Sequence, residues 1–356
     1  MHLLVLGGTH FVGLHIVEAA LRAGHTVDVF TRGRSPAPTG ARLLVGDRNG
    51  DLSALDTALD VASPGAPGRG RASGDDTTHV AGGGTRVDRW DAVVDVSGYL
   101  PRQVRATAER LSGRAGRYLF ISTGSVYRDW DEPNTVEDAP LHELDDPTTE
   151  AITAETYGAL KVACERVAQE AFDGQVLSIR PTFVVGPHDH TDRFTSWLRR
   201  VRDNPRVAVP VAPDVPLAFI DARDLAAFVL RLAESDAIGA VNASGPAEVL
   251  TWGSVLALAR EVTGSRAELE WLPASFLEGR ELQGDPFPMA IPFPFRGAPK
   301  FSLARAQELG LTLRSVSDTI RDTLAWDDAA GVPRAGITAG EEEALLRAWD
   351  ESRGRG

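Results

Sequence analysis

HLLVLGGTHFVG, residues 2–13, decides the fold of this 356-residue chain. Its first half is a continuous apolar run, typical of a strand that is covered on both faces of a sheet. Glycines follow at once, and FVGLHIVEAALRAG then has the apolar spacing of an amphipathic helix. A strand, a glycine-rich turn and a helix form the opening of a βαβ unit. We therefore expect a sheet whose strands are connected by helices.

Further segments continue this alternation. They are apolar runs at 25–30, 42–47, 91–97, 117–123 and 175–181, and helical patterns at 101–113 and 151–171. Strands that alternate with helices predict a parallel sheet. Because the runs are continuously apolar, helices should cover both faces of that sheet. The sequence thus predicts an α/β fold with a doubly wound parallel sheet.

The chain changes character in two places. Residues 62–88 are rich in Gly, Ser, Ala, Asp and Thr without apolar periodicity, which predicts a solvated, disordered insertion between the third and fourth strands. After Gly186, helices mix with a Pro- and Phe-rich loop, which predicts a smaller C-terminal α/β substrate domain. We assign residues 1–186 and a return at 216–246 to the sheet domain, 187–215 and 247–326 to the substrate domain, and 327–356 to a tail helix.

Composition excludes several classes of protein. The net charge of -13 opposes binding to a nucleic-acid backbone, which requires excess Lys and Arg. The sequence contains no run of eighteen apolar residues, so we expect no transmembrane helix. The first residues, MHLLVLGG, lack the basic region of a signal peptide. The single cysteine, Cys164, excludes an internal disulfide and is typical of a buried thiol. We expect a cytoplasmic protein with no nucleic-acid or membrane partner.

Tyr157 and Lys161 stand four residues apart in TYGALK, and Lys161 is one of only two lysines, the other being Lys300. On a helix this spacing places both side chains on one face. An ammonium near a phenol lowers the pKa of the phenol, which can then exchange a proton with an alcohol or ketone oxygen. For the motif alone, an ordinary surface pair is the alternative.

Other candidate residues follow the predicted strands. The GGTHFVG turn suits a pyrophosphate, although His10 replaces the middle glycine. The second strand ends at Thr31 and Arg32 with no acidic residue at its end, which favours NADP over NAD as the cofactor. The alternative is that the arginines after this strand are solvated loop residues without a cofactor contact. Asp47 and Arg48 could flank an adenine or cap a loop.

Hydroxyl groups follow the fifth strand in the stretch STGSVY. Side chains at the carboxyl end of a parallel strand point into the ligand crevice. Thr123 or Ser125 could therefore hydrogen-bond a substrate oxygen beside Tyr157. In isolation, a hydroxyl-rich turn would be structural.

GGTHFVG, ISTGSVY, YGALK, RPTFVVGP and FIDARDLA occur in an order that resembles the extended short-chain dehydrogenase/reductase family, which holds sugar-nucleotide epimerases and dehydratases. The resemblance covers roughly residues 1–325 apart from the insertion. It implies a Rossmann domain and a bound nicotinamide dinucleotide. It also implies that Thr123 is the hydroxyl residue, Tyr157 the acid/base, and Lys161 the lysine that binds the nicotinamide ribose. The full predicted cofactor site is Gly7, Thr9, His10, Phe11, Val12, Gly13, Thr31, Arg32, Asp47, Arg48, Ser97, Lys161, Pro181 and Thr182.

Departures from the family pattern concern the substrate. Ser125 and Phe183 are both predicted to contact the substrate. Phe183 stands where sugar-nucleotide members often carry Asn. The stretch LAFIDARD lacks an arginine that often grips a phosphate, and Arg193, Arg199 or Arg296 could substitute. Both departures disfavour a nucleoside-diphosphate substrate. The GGT-x-FVG form is also similar to a branch that contains chloroplast stem-loop RNA-binding proteins. The histidines of GPHDHTD fit no zinc signature, so no metal is predicted.

Three functional hypotheses result. The first is an NADP-linked oxidoreductase, with NAD as the other cofactor, that acts on a secondary alcohol or ketone of a small or sugar-like substrate. The second is a sugar-nucleotide epimerase or dehydratase that retains NAD(P) tightly. The third is a non-catalytic RNA-binding or scaffold relative. Dimers are common in the resembling family, so a homodimer is expected by analogy alone.

Overall fold

The computed structural model describes residues 1–59, 89–129, 134–246, 248–282, 284–290, 301–331 and 335–354. The insertion predicted at 62–88 lies outside these ranges, as do Arg296 and Lys300.

Within the described residues, seven strands form one sheet, and helices connect them. The strands are β1 (His2–Leu6), β2 (Thr26–Thr31), β3 (Arg42–Val45), β4 (Ala92–Asp95), β5 (Arg117–Ile121), β6 (Gln175–Pro181) and β10 (Gly239–Ala243). The connecting helices include α1 (Phe11–Arg22), α2 (Ser53–Thr57), α3 (Pro101–Leu111), α4 (Ala154–Ala171) and α6 (Ala222–Ala233).

The spatial order of the sheet is β10-β6-β5-β4-β1-β2-β3. The pairs β1–β2, β1–β4, β2–β3, β4–β5 and β5–β6 are all parallel. Every residue of β1, β4 and β5 is buried, as continuous apolar runs require. The predicted doubly wound α/β fold is confirmed. The strand order reverses between β1 and β4, where such sheets bind ligands.

The remaining elements follow β6 along the chain. They are β7 (Phe183–Val185), α5 (Arg193–Asp203), β8 (Arg206–Val209), β9 (Phe219–Asp221), α7 (Trp252–Thr263), β11 (Glu268–Trp271), α8 (Ala274–Leu277), α9 (Ala304–Glu308), α10 (Val316–Ala330) and α11 (Ala339–Arg353). Two parallel pairs occur among them, β7 with β9 and β8 with β11.

The chain forms two compact units. The first comprises residues 1–126, 142–179 and 229–240, and the second comprises 127–141, 180–228 and 241–356. These limits differ from the ranges expected from the sequence, chiefly because 127–141 and 216–228 belong to the second unit. The functional division into a cofactor domain and a substrate domain stays a prediction.

Helix α11, in the predicted tail, packs into the second unit. Its Leu345 and Leu346 are buried in the same apolar cluster as Trp197 and Trp252. An apolar stripe at helical spacing explains this packing. Among the residues that the structure describes, no helix is both long enough and apolar enough to cross a bilayer.

Candidate active site

The turns after β1 and β4 touch at the point where the strand order reverses. Gly7 follows β1 with a φ of +95°, and a Cβ atom on it would lie 2.9 Å from the Cβ of Ser97. The Ser97 hydroxyl donates a hydrogen bond to the carbonyl oxygen of Leu6 (3.2 Å). Glycine at position 7 therefore permits both the left-handed backbone and this close contact. Both residues are in the predicted cofactor site.

Helix α1 begins against the same turn. A Cβ atom on Gly13 would lie 2.1 Å from the carbonyl oxygen of Gly7, so no larger residue fits there. The close approach brings the first turn of α1 to the end of β1. Helix N-termini offer backbone N–H groups and a positive dipole end to anions. This backbone cradle fits the pyrophosphate of a dinucleotide.

The residues between the two glycines form the entry to α1. His10, which replaces the middle glycine, precedes the helix, and its side chain does not cap it. Its Nδ1 atom hydrogen-bonds with the hydroxyl of Thr9 (3.0 Å), and its Nε2 atom with that of Ser35 (3.3 Å). Phe11 and Val12 open the first turn. The imidazole is thus bonded to the loop after β2.

The end of β2 carries the residues that were predicted to select the cofactor. Arg32 is exposed, and the Thr31 hydroxyl accepts a hydrogen bond from the backbone N–H of Gly33 (3.2 Å).

Asp28 is fully buried within β2. Its carboxylate accepts hydrogen bonds from His2, Arg42 and Trp90. A ribose hydroxyl therefore cannot reach this carboxylate, whereas Arg32 remains accessible.

The turn after β3 contains Asp47 and Arg48, which have different surroundings. The Asp47 carboxylate accepts hydrogen bonds from the backbone and side-chain N–H groups of Asn49 (2.9 and 3.1 Å), so it shapes the turn. The guanidinium of Arg48 is buried and donates to both carboxylate oxygens of Asp95 (2.6 and 2.7 Å). Contact of either residue with adenine stays a prediction, and the described contacts of Arg48 are internal.

The turn after β5 holds the two predicted hydroxyl residues. Thr123 is buried, and its hydroxyl donates to that of Ser125 (3.2 Å). It also accepts the backbone N–H of Ser125 (3.2 Å). Helix α4 lies directly against this turn, since a Cβ atom on Gly158 would be 2.1 Å from the carbonyl oxygen of Ser125. Gly158 thus brings the helix that carries Tyr157 against the hydroxyl turn.

Helix α4 positions the predicted acid/base pair. A capping box between Thr153 and Thr156 fixes its start, which places Tyr157 in the first turn and Lys161 one turn later. Tyr157 is partly exposed, whereas Lys161 is only 3% exposed. The helical spacing that we expected is therefore present, and it puts both residues on one face.

Backbone carbonyls hold the ammonium group of Lys161. Its Nζ atom donates to the carbonyl oxygens of Gly98 and Ile121, each at 2.8 Å. Gly98 follows β4, and Ile121 is the last residue of β5. The ring centroid of Phe120 lies 4.0 Å from Nζ and that of Tyr99 lies 5.5 Å away. The ammonium thus sits between two strand ends with aromatic rings beside it.

Burial dominates the electrostatics of this lysine. It lowers the pKa of Lys161 from 10.5 to about 8, although the nearby Cys164, Asp95 and Glu165 act in the opposite direction. Arg48 lowers the pKa further. Burial also raises the pKa of the Cys164 thiol to about 12, as expected for an inert structural cysteine. A lysine with such a pKa can change its protonation near neutral pH.

The predicted residues after β6 belong to the second unit. Pro181 ends β6, and the Thr182 hydroxyl hydrogen-bonds with that of Ser244 (3.0 Å). Phe183 begins β7, and the guanidinium of Arg193 lies over its ring at 5.5 Å. Of the arginines considered as a phosphate grip, Arg193 is therefore adjacent to a predicted substrate residue.

The other candidates in this region make internal contacts. Arg199 is buried between the carboxylates of Asp192 and Asp327, so it is already neutralised. In the GPHDHTD loop, the ring centroid of His188 lies 5.4 Å from that of Trp326, and Asp189 accepts hydrogen bonds from Thr191. These contacts are those of a structured polar loop.

Three residues that shape the site were not predicted from the sequence. Gly98 and Ile121 contribute only backbone carbonyls, which leave no side-chain signal. Gly158 stands between Tyr157 and Ala159 in a helix, where glycine is unfavourable by about 1 kcal/mol relative to alanine. That cost was the available signal for a close packing contact.

A model of the NAD dependent epimerase/dehydratase family matches residues 3–243. The chain belongs to this family. The resemblance to extended short-chain dehydrogenases/reductases is thereby confirmed, and the protein is an NAD-dependent enzyme of the epimerase/dehydratase family.

Solved structures share the fold of this family member. UDP-glucuronic acid 4-epimerase from Bacillus cereus, in complex with NAD, is 17% identical with a TM-score of 0.62 over 92% of this chain and 99% of its own. UDP-glucose 4-epimerase from Thermotoga maritima, with UDP-glucose, is 16% identical with a TM-score of 0.64 over 92% and 99%.

A curated relative is the chloroplast stem-loop binding protein of 41 kDa b from Arabidopsis thaliana. It is 26% identical over 209 residues, which are 58% of this chain. The match spans only 48% of that relative's length.

Proposed function

We propose that this family member acts at a secondary alcohol or ketone carbon of a small, sugar-like substrate, with Tyr157 as the acid/base. The observation that carries the proposal is the close packing of Gly158 on the Thr123–Ser125 turn. This packing keeps a hydroxyl turn, Tyr157 and Lys161 at one edge of the sheet. Tyr157 takes the proton of the substrate hydroxyl in one direction and returns it in the other.

The remaining predicted residues have supporting roles. When bound, the nicotinamide dinucleotide supplies the hydride acceptor and donor. The backbone of the Gly7–Gly13 turn would hold its pyrophosphate. Thr123 would orient the substrate oxygen, and the Lys161 ammonium would favour the phenolate of Tyr157.

Two reaction types share this step. Membership of the epimerase/dehydratase family favours a cycle without net redox change, in which the dinucleotide stays bound. Net oxidoreduction is the second candidate, and Phe183 in place of an amide favours it because a sugar nucleotide loses a polar contact. Two of the similar structures hold NAD or UDP-glucose, so the test panel includes UDP-glucose, UDP-glucuronic acid and simple ketones.

The purified protein distinguishes these candidates. Tightly retained dinucleotide, with conversion of a sugar nucleotide and no steady consumption of NADPH, supports epimerisation or dehydration. Stoichiometric oxidation of NADPH with a ketone supports oxidoreduction. For whichever substrate is turned over, Tyr157→Phe should abolish turnover and leave dinucleotide binding nearly intact. Turnover that survives this substitution would remove Tyr157 as the acid/base.

We also propose a preference for NADP, because Arg32 is exposed at the end of β2 and Asp28 is buried. Arg32→Ala should weaken binding of NADPH by about tenfold and leave binding of NADH unchanged, since only the 2′-phosphate loses a charged partner. Arg22→Ala, at the far end of α1, is the matched control. Equal losses for both dinucleotides would defeat the assignment.

A third candidate rests on the name of the Arabidopsis relative, which binds a stem-loop. The net charge of -13 opposes RNA binding. Filter binding at low salt tests it, and salt-sensitive retention of RNA would support it.

A further inference from the structure

Asp95 is a fully buried carboxylate at the end of β4, with four described donors. The guanidinium of Arg48 donates to both of its oxygens (2.6 and 2.7 Å), the Tyr118 hydroxyl donates to Oδ2 (2.6 Å), and the Ser97 backbone N–H donates to Oδ1 (3.1 Å). Arg48 is held in turn by the Thr107 hydroxyl (2.8 Å) in α3. The pair therefore links the turns after β3 and β4.

The same carboxylate shapes the turn that receives Lys161. Its bond to the N–H of Ser97 closes residues 95–97 into a turn. Gly98 then packs so closely on it that a Cβ atom would lie 3.0 Å from Asp95 Oδ2. The carbonyl oxygen of Gly98 accepts the hydrogen bond from Lys161 (2.8 Å). A continuous path of contacts thus runs from Arg48 to the ammonium group.

The titratable groups around Lys161 come from three segments. Cys164 and Glu165 lie on its own helix, Asp95 ends β4, and Arg48 follows β3. Asp95 raises the pKa of Lys161 and Arg48 lowers it. Each member of the buried pair therefore acts on the lysine with its own sign.

We propose that Asp95 and Arg48 are positioning residues, which hold the 95–98 turn and, through it, the ammonium group of Lys161. This rests on the proposed role of Lys161 beside Tyr157. Neither residue needs to touch substrate or cofactor. Their contribution is to fix where the lysine lies and whether it carries a proton at neutral pH.

The low lysine content of the chain makes a direct test possible. With Lys300→Arg as the background, protein labelled with ¹³C-lysine gives one side-chain signal, whose titration reports the pKa of Lys161. Asp95→Asn should lower that pKa and Arg48→Gln should raise it, each by about one unit. Glu150→Gln, which breaks the exposed pair of Glu150 with Arg102, should leave it unchanged. Shifts of the same sign in both variants, or no shift in either, would overturn the proposal.

Each single variant leaves one buried charge unpaired and will be less stable. The double variant Arg48→Met/Asp95→Leu removes both charges and keeps apolar volume, so it tests the turn itself. The amide of Ser97 loses its acceptor and should exchange with solvent about tenfold faster, whereas core amides of β1 should not change. Unchanged protection of this amide would contradict the proposal even if the single variants do not fold.

These readouts require no substrate, so they are independent of the Tyr157→Phe experiment. If Tyr157→Phe kept full turnover while the two opposite pKa shifts were observed, the acid/base role of Tyr157 would be discarded and the positioning role kept. The reverse pattern would discard the positioning role alone.

Discussion

At the scale of one residue, Lys161 shows how a site can oppose stability. The folded protein lowers its pKa from 10.5 to about 8, chiefly by burial. Below pH 8 both the folded and the unfolded chain carry the proton, and folding then bears the full penalty of burying the charge. Between pH 8 and 10.5 the folded state binds fewer protons than the unfolded state, so stability rises with pH.

This linkage predicts a pH-dependent difference from Lys161→Met. Between pH 7 and pH 9.5, the free energy of unfolding of the wild type should rise by about 2 kcal/mol relative to the variant. The two hydrogen bonds to Gly98 and Ile121 are missing from the variant at both pH values, so their loss cancels in this difference. The Cys164 thiol stays protonated in the folded state at both pH values, because burial raises its pKa to about 12. Urea denaturation at the two pH values measures it. A difference that stays constant, or falls as pH rises, would contradict a lysine that titrates near 8.

At the scale of elements, the packing of α4 on the Thr123–Ser125 turn depends on one glycine, Gly158. A Cβ atom on Gly158 would meet a backbone oxygen, Ser125 O, at 2.1 Å, and backbone cannot move aside as a flexible side chain can. Gly158→Ala should therefore displace the helix despite the better helix propensity of alanine. We expect a loss of about 1–3 kcal/mol in stability, and a larger loss of turnover because Tyr157 moves.

Gly50→Ala is the matched control in the same unit, since a Cβ atom on Gly50 meets nothing within 4 Å. It should leave stability and turnover nearly unchanged. If Gly158→Ala proved as harmless as this control, the contact between α4 and the turn would not be what positions Tyr157. Denaturation curves and turnover of both variants settle the comparison.

At the scale of the whole chain, apolar runs in the sequence predicted β1 to β6 within a few residues. Short continuous runs of Val, Ile and Leu are typical of strands that are buried on both faces of a parallel sheet. The direction of Arg48 was not predictable. A charged residue after a strand normally faces solvent, and its buried partner Asp95 is 47 residues away in sequence. Backbone ligands such as Gly98 O left no trace in residue type. The close packing of the turn after β1 was predictable, because it depends on glycine itself.

Helix α11 illustrates the same limit in the run EEE, residues 341–343. Glu342 is 2% exposed, whereas the side chain of its neighbour Glu343 is 70% exposed. Residue type alone does not show which of the three glutamates is buried. The phase of the helix separates them, because Glu342 shares a face with Leu345 and Leu346.

Glu342 is therefore expected to be far more important for stability than Glu343. Its carboxylate accepts hydrogen bonds from Arg200 (2.5 Å) and from the backbone N–H of Ala208 (2.8 Å), both in the second unit. Glu342→Gln leaves the buried Arg200 without its counter-charge and should lower the free energy of unfolding by about 3–5 kcal/mol. Glu343→Gln breaks only an exposed pair with Arg347 and should change it by less than about 0.5 kcal/mol. Urea denaturation of the two variants provides the measurement, and equal losses would mean that α11 does not pack on α5 and β8 through this carboxylate.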